Sequence, residues 1–138
     1  MIRIMKAKTK EEVLQSLLLR RKVLVSEKKY SIVESEPDNY DLKCDMFIAK
    51  DGDKVIGTLR VKKESNCYRI QRMAIDKKYR KIGVGSKLIM SVLKKYKNKK
   101  LYLMSPAQSI AFYQRFGFKK TKITQKGKYH TYYKLQNY

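Results

Sequence analysis

The chain has few of the residues that define several protein classes. Among its 138 residues are two prolines, six glycines, one histidine and no tryptophan. So little proline and glycine excludes a collagen-like chain and argues against a disordered one. The two cysteines, Cys44 and Cys67, are isolated and offer neither a CxxC pair nor a zinc-ligand spacing. We therefore expect free thiols in a reducing compartment, by default the cytoplasm, and no metal.

Long apolar runs are also missing. The longest apolar windows, such as residues 13–19, are far shorter than a membrane span requires. The opening MIRIMKAKTK has no apolar stretch behind its charges, which argues against a secretory signal. With 43% hydrophobic residues, the chain has enough apolar material for one domain, expected over residues 1–138 and without a membrane partner.

Acidic residues are scarce relative to basic ones. Twelve Asp and Glu face 34 Lys and Arg, for a net charge of +22. Such a chain attracts anions, whether nucleic acid, a nucleotide cofactor or a phosphorylated substrate, although a solvated lysine surface has the same composition. Six of the twelve acidic residues fall in one short stretch: Glu27, Glu34, Glu36, Asp38, Asp41 and Asp45. This stretch predicts an acidic patch that would suit a cationic amine.

The hydrophobic pattern predicts a mixed order of elements. Thr9 and Glu12 form a capping box for a long first helix that ends near Ser26. The predicted strands are Ile2 to Ile4 and residues 46–50, 54–63, 68–75, 101–104, 119–124 and 129–135. Further helices are predicted from Gly83 to Tyr96 and from Ser105 to Gly117. This order predicts an α/β fold with a mixed, mostly antiparallel sheet and helices on both faces.

Residues 79–86, YRKIGVGS, lie between a predicted strand and a predicted helix. Gly83 and Gly85 let the backbone approach a ligand, and the helix start offers free amides and partial positive charge. Arg80 and Lys81 add to that charge. The segment predicts a phosphate or pyrophosphate site, with a glycine turn needed only for tight packing as the alternative. Neither the Walker spacing nor the third glycine of a dinucleotide fingerprint is present.

Two motifs give the chain a resemblance to the GNAT N-acetyltransferases. Residues 80–85 read RKIGVG and fit the signature [RQ]-x-x-G-x-[GA]. Residues 112–118 read FYQRFGF and fit the signature F-Y-x-x-x-G-F. Within that superfamily the chain is similar to the ElaA-type branch at residues 23–28, 34–38 and 127–130. It departs from that branch at Lys28, Ser105, Pro106, Lys128 and Tyr129.

The resemblance implies acetyl-CoA as the acetyl donor and no metal. The loop that would bind the CoA pyrophosphate corresponds to Arg80, Lys81, Ile82, Gly83, Val84, Gly85 and Ser86. The end of the preceding strand, Met73, Ala74 and Ile75, would hold the pantetheine arm, and its amides would polarise the acetyl carbonyl. Ordinary strand pairing is the alternative for these three residues.

The resemblance also implies direct attack by a primary amine in a ternary complex. Tyr113 would protonate the leaving thiolate, because the ordinary pKa of a phenol lies above that of a thiol; packing against the cofactor without proton transfer is the alternative. The candidate bases are Glu34, Glu36, Asp38, Asp41 and His130. We take His130 and Glu34 as catalytic, and Glu36 and Asp38 as acceptor-binding. Glu27 is expected to anchor the end of the first helix.

Other interpretations of the sequence remain open. The charge and the eleven tyrosines also fit a basic nucleic-acid-binding module, and the same fold would serve a non-catalytic sensor of acetyl-CoA. An amino-sugar phosphate would use the surplus Lys and Arg, whereas a polyamine or a protein amine would use the acidic stretch. The oligomeric state is open as well: Tyr132, Tyr133 and Leu135 could form the edge of a homodimer or could equally be buried in the monomer.

Overall fold

A seven-stranded sheet runs through the protein, in a computed structural model that describes residues 1–31 and 37–138. Its strands are β1 Ile2–Lys6, β2 Asp45–Asp51, β3 Lys54–Lys63, β4 Tyr68–Ile75, β5 Leu101–Pro106, β6 Lys119–Lys126 and β7 Thr131–Gln136. Their order across the sheet is β1-β2-β3-β4-β5-β7-β6. Only β4 and β5 run parallel; the other neighbours are antiparallel. The predicted mixed, mostly antiparallel sheet is confirmed.

Three α-helices accompany the sheet in the described residues. They are α1 Lys10–Arg20, α2 Val84–Lys95 and α3 Ile110–Gln114. Short 3-10 turns lie at Asn39–Leu42, Lys77–Tyr79 and Ala107–Ser109. At the start of α1, the Thr9 hydroxyl accepts from the Glu12 amide and the Glu12 carboxylate accepts from the Thr9 amide, both at 3.1 Å. The predicted capping box is therefore confirmed.

The first helix does not stay α-helical to its predicted end. Beyond Arg20 it continues as a π-helical segment, Arg21–Glu27. The Lys28 amide donates to the Val23 carbonyl, five residues back, at 2.8 Å. These wider turns keep Val23 and Leu24 buried against the sheet. Tertiary packing therefore decides the type of helix here, and helical periodicity in the sequence does not predict it.

The predicted helix start at Ser105 and Pro106 is wrong. β5 extends through both residues, with Ser105 opposite Tyr133 and Pro106 opposite Tyr132. Pro106 has an extended backbone, with φ −64° and ψ 159°, and proline is tolerated at a strand end. Pairing with β7 therefore outweighs the local helix-start signal.

The helices pack on both faces of the sheet, as predicted. On one face α2 contributes Leu88, Ile89 and Val92 to the larger core, whose members all lie below a tenth exposed. On the other face Leu19 of α1 packs with Ile48 and other apolar residues in a second core. No helix in the described ranges is long and apolar enough to cross a membrane.

The strand expected to form a dimer edge lies inside the sheet. β7 pairs with β5 on one side and with β6 on the other. Leu135 is fully buried, and Tyr132 and Tyr133 are half-buried. These three residues therefore do not form a sheet edge, which is occupied instead by β6.

β4 is irregular in two ways that shape the centre of the molecule. It pairs with β5 only from Tyr68 to Ile70, and its remaining residues diverge from β5. Against β3, Gln71 pairs with Arg60 and Ala74 with Thr58, so Arg72 and Met73 together lie opposite one residue. Arg72 has a φ of 55°, as expected at a β-bulge. The divergence opens a gap between two central strands.

Candidate active site

A cleft of about 1700 Å³ occupies the gap where β4 leaves β5. Its walls come from the end of β4, the loop to α2, α3, the β6–β7 connection and the segment after α1. Basic side chains are frequent in the lining, among them Lys28, Arg69, Arg72, Lys81, Arg115 and Lys126. Within residues 1–31 and 37–138, no Asp or Glu lines it. The cleft therefore favours anionic ligands.

Gly83 and Gly85 have different roles at the start of α2. Gly83 is the N-cap residue, has a φ of 88° and provides no side-chain cap, so the first-turn amides of α2 lack an intrahelical partner. A Cβ at Gly83 would meet nothing within 4 Å, whereas one at Gly85 would lie 3.0 Å from Met73 Cε. Gly83 therefore provides the left-handed conformation and an open approach, and Gly85 allows α2 to pack closely on β4.

The Arg80 guanidinium holds the loop to the end of β4. Its Nε and Nη2 donate to the Ile75 carbonyl at 3.0 and 2.9 Å. Its Nη1 donates to the Glu27 carboxylate, and this bond lowers the pKa of Glu27. Glu27 thereby ties the end of the π-helical segment to the loop, the structural role expected for it. These contacts occupy the side chain of Arg80, and its backbone amide donates to the Lys77 carbonyl at 3.4 Å.

The predicted strand residues Met73, Ala74 and Ile75 all line the cleft. They lie beyond the last residue of β4 that pairs with β5, so one edge of their backbone is not bonded to a neighbouring strand. Gly83, Val84, Gly85 and Ser86 line the same cleft, together with Arg80 and Lys81. Ile82 is 60% exposed and lies outside the lining. The structure thus gathers nine of the ten predicted cofactor residues in one place.

Tyr113 reaches this cleft from α3. Its hydroxyl lies 3.5 Å from Met73 Sδ, and its ring makes an edge contact with Phe112 at 5.0 Å between centroids. Burial, with a smaller contribution from Tyr30, raises the pKa of Tyr113 above its usual value. The phenol therefore stays protonated at neutral pH and can act as a proton donor.

The described members of the acidic stretch are ion-paired with basic side chains of the protein. Asp38 accepts from Arg60 Nη1 at 2.7 Å and from Arg60 Nη2 at 2.9 Å, which lowers the pKa of Asp38 to about 2. Asp41 lies between Arg20 at 2.6 Å and Arg60 at 2.9 Å. Neither aspartate lines the cleft. Glu34 and Glu36 lie outside the described residues.

His130 lies beside the cleft, between β6 and β7. Its ring meets the Tyr30 ring edge-on, with 4.7 Å between centroids. In the described part of the chain its Nε2 is buried and has no hydrogen-bond partner. His130 is not a lining residue, although Tyr30 and Tyr132 are. The described residues also contain no group of three or more His, Cys, Asp or Glu placed to hold a metal.

Tyr30, Arg69 and Arg72 are among the lining residues that sequence reasoning missed. Arg69 could have been found from the sequence, because Arg69 and Gln71 alternate with buried Ile70 and mark a polar strand face. The orientation of Arg72 depends on the bulge, which no local pattern announces. Tyr30 follows the π-helical segment, whose path along the sheet ends at the cleft.

Known acetyltransferases resemble this chain in sequence. The sequence model of the acetyltransferase (GNAT) domain matches residues 43–120, more than half of the chain. The uncharacterized N-acetyltransferase YjcF of Bacillus subtilis is 26% identical over 117 residues, covering 82% of each chain.

Two solved structures share the fold. Escherichia coli ElaA has a TM-score of 0.80 at 19% identity and covers 98% of this chain and 99% of its own. A GNAT family acetyltransferase of Elizabethkingia anophelis, solved with acetyl-CoA bound, has a TM-score of 0.71 at 18% identity and covers 98% and 96%. With its sequence match and its fold in agreement, the chain belongs to the GNAT acetyltransferases.

Proposed function

We propose that the chain transfers the acetyl group of acetyl-CoA to a primary amine that binds at the same time. The observation that carries this proposal is one continuous cleft between β4 and β5, with an uncapped helix start at one wall. Acetyl-CoA supplies an acetyl thioester activated toward amines. A single cleft that admits two substrates favours direct attack, because neither reactant then has to leave before transfer.

The start of α2 fits the CoA pyrophosphate. The amides of Val84, Gly85 and Ser86 belong to the first helical turn, and the helix dipole favours negative charge there. Lys81 lies beside them in the lining. Open space at Gly83 and the lack of described carboxylates in the lining suit the same ligand. That a solved neighbour of the same fold has acetyl-CoA bound supports acetyl-CoA as the ligand.

The end of β4 is suited to stabilise the reacting carbonyl. Ala74 and Ile75 are paired with β3, Met73 lies beside them in the bulge, and none of the three is paired with β5. Amides held in this way donate to the carbonyl oxygen as negative charge develops on it, without a cost of reorganisation. Transfer forms a nitrogen–carbon bond, breaks the carbon–sulfur bond, and moves one proton from the amine to a base.

Tyr113 is the proposed proton donor to the leaving sulfur. Its hydroxyl lies next to Met73, within the same stretch of β4 that faces the carbonyl. The raised pKa keeps its proton in place at neutral pH. The phenol donates to the thiolate as the carbon–sulfur bond breaks.

The proposed base is His130, with Glu34 as the second candidate from the sequence. His130 has an unpartnered Nε2 within the described residues, and imidazole is the most common general base in enzymes. The variants His130→Gln and Glu34→Gln separate the two. The variant that lacks the base loses the rise of kcat/KM with pH, while the other keeps it.

Two free thiols, Cys44 and Cys67, fit a cytoplasmic site of reaction.

Calorimetric binding of acetyl-CoA tests the site with a matched pair of glycine variants. Gly83 and Gly52 both have positive φ and open space around a Cβ, but only Gly83 lines the cleft. We expect micromolar binding by the wild type (roughly −8 kcal/mol) and by Gly52→Trp, and none by Gly83→Trp. Equal binding by both variants would refute the pyrophosphate site, and turnover without acetyl-CoA binding would refute the function. Binding without release of free thiol for any amine would favour a sensor.

A further inference from the structure

The bulge in β4 aims Arg72 at the α1 side of the sheet. Gln71 accepts a hydrogen bond from Arg60 Nε at 3.0 Å, and Arg72 Nη2 donates to Asp38 at 3.4 Å. Two consecutive residues thus face the same side, which regular strand alternation forbids. Arg69 lies two residues before Gln71 and shares its face. Both arginines line the cleft.

The guanidinium groups of Arg69 and Arg72 each have a buried nitrogen without a hydrogen-bond partner in the described residues. The Arg72 side chain is only 10% exposed. Within the described ranges, Nε of Arg72 and Nε of Arg69 are buried and have no hydrogen-bond partner. Burying such donors costs free energy unless a partner meets them. Asp38 is a weak partner for Arg72, because its two oxygens are already held by Arg60 at shorter distances.

Arg72 shares its carboxylate partner with Arg60. Asp38 faces both guanidinium groups, and Arg60 lies closer to it, at 2.7 Å against 3.4 Å. Burial, followed by repulsion from Arg60 and Arg20, lowers the pKa of Arg72 to about 10. An anion bound at this wall of the cleft would offset both the cost of burying the Arg72 charge and its repulsion from the other arginines.

The CoA pyrophosphate does not account for this positive charge. Its proposed site is the start of α2, on the face of β4 where Met73 packs against the α2 core. Arg72 and Ala74 lie on the opposite, α1 face. A polycationic acceptor would be repelled by the arginines. The α1 side of the cleft therefore has a separate preference for negative charge.

We infer that Arg69 and Arg72 bind an oxyanion of the acceptor, so that the acetylated amine belongs to a molecule that also carries a carboxylate or a phosphate. This inference rests on the proposed acetyl transfer and specifies its substrate class. The oxyanion accepts from the guanidinium groups of Arg69 and Arg72 that line the cleft, and the amine then points toward the end of β4, where the acetyl carbonyl is expected.

Matched acceptors test the substrate class. Thiol release from acetyl-CoA is measured with glucosamine 6-phosphate against glucosamine, with L-methionine against L-methioninamide, and with spermidine. We expect kcat/KM to be at least about tenfold higher for the anionic member of one pair, and the pair that responds distinguishes phosphate from carboxylate. Equal or faster acetylation of the uncharged or cationic members, or no acetylation of either anionic member, would overturn the inference. Failure to bind acetyl-CoA at all would instead refute the proposed function.

Arginine variants test the residues. Arg72→Gln is expected to lower kcat/KM for the preferred anionic acceptor about 10- to 100-fold, mainly through KM, with acetyl-CoA binding unchanged. Arg72→Lys should restore part of the loss, and the exposed Arg3→Gln serves as control. If Arg72 had only a structural role, its substitution would lower kcat/KM equally for the anionic acceptor and for its uncharged counterpart. If Arg72→Gln does not fold, Arg69→Gln gives the same readout. Variants that keep the full preference for the anionic member would overturn the assignment.

Discussion

The two faces of β4 are built by different physical means. On the α2 face, Met73, Phe112 and Gly85 fit together by shape, and a missing Cβ lets the helix approach. On the α1 face, Arg60 and Asp41 meet through buried charge. The first face offers backbone groups to a ligand, and the second offers charged side chains. Under the proposed function, the donor would be recognised through main-chain geometry and the acceptor through side-chain charge.

The two faces also differ in how far apart their parts lie in the chain. The α2 face combines β4 with the adjoining loop and helix start. The α1 face joins α1, a 3-10 turn, β3 and β4 through the pairs Arg20–Asp41 and Arg60–Asp38. Buried ion pairs tolerate loss of one partner poorly, because the other charge stays buried. Single substitutions should therefore cost more stability on the α1 face.

Removing Asp41 should have the largest effect on stability. Asp41→Ala leaves Arg20 and Arg60, both almost fully buried, with one carboxylate fewer. We expect a loss of about 3–5 kcal/mol in the free energy of unfolding, measured by urea denaturation. The exposed Asp53→Ala should change it by less than about 0.5 kcal/mol. Similar values for the two variants would mean that charge does not hold the α1 face together.

Tyr113→Phe tests chemistry on the α2 side without changing its shape. The ring contacts with Phe112 remain, so acetyl-CoA binding and stability should change little, while kcat should fall about 100-fold. Steady-state kinetics and calorimetry on the same preparation provide the measurement, with Tyr40→Phe, outside the cleft, as control. An unchanged kcat would exclude proton donation by this phenol.

Gly85→Ala should weaken acetyl-CoA binding about tenfold. The added Cβ would lie 3.0 Å from Met73 Cε, the flexible end of a side chain, so the cost in stability should be about 1 kcal/mol. In a Met73→Ala background the clash disappears, and a double-mutant cycle should show the coupling. Additive effects of the two substitutions would contradict packing by shape on this face.

Acid should weaken the α1 face by the smallest amount. Hydrogen bonding to Arg60 lowers the pKa of Asp38 to about 2 from its ordinary value of 3.8. The folded pKa lies below the unfolded one, so the stabilisation is present above about pH 4 and is lost as pH falls toward 2. Asp38→Asn should flatten the loss of stability across that window in urea titrations. Because Asp38 is 35% exposed, added salt should reduce the difference; an identical pH profile for the variant would count against the pairing.

The sequence was most informative where one short segment decides the structure. The capping box at Thr9 and the loop from Arg80 to Ser86 depend on neighbours within a few residues, and both lie where the pattern predicts them. Arg72 and Pro106 depend instead on strands distant in sequence, through the bulge against β3 and the pairing with β7. The same limit applies to Asp38, whose partner Arg60 is 22 residues away. The sequence led us to expect that Asp38 binds the acceptor, and it did not predict the pair with Arg60.

The outer strand β6 has a consequence for behaviour at high concentration. One of its edges is not paired with another strand of the described chain, and such an edge can recruit a second chain into a continuous sheet. β6 carries Lys119, Lys120, Lys122 and Lys126, all exposed. Two copies brought edge to edge would place these ammonium groups against one another. Part of the large positive charge thus acts as a barrier to self-association, and acetylation or neutralisation of these lysines would make the protein more prone to aggregate.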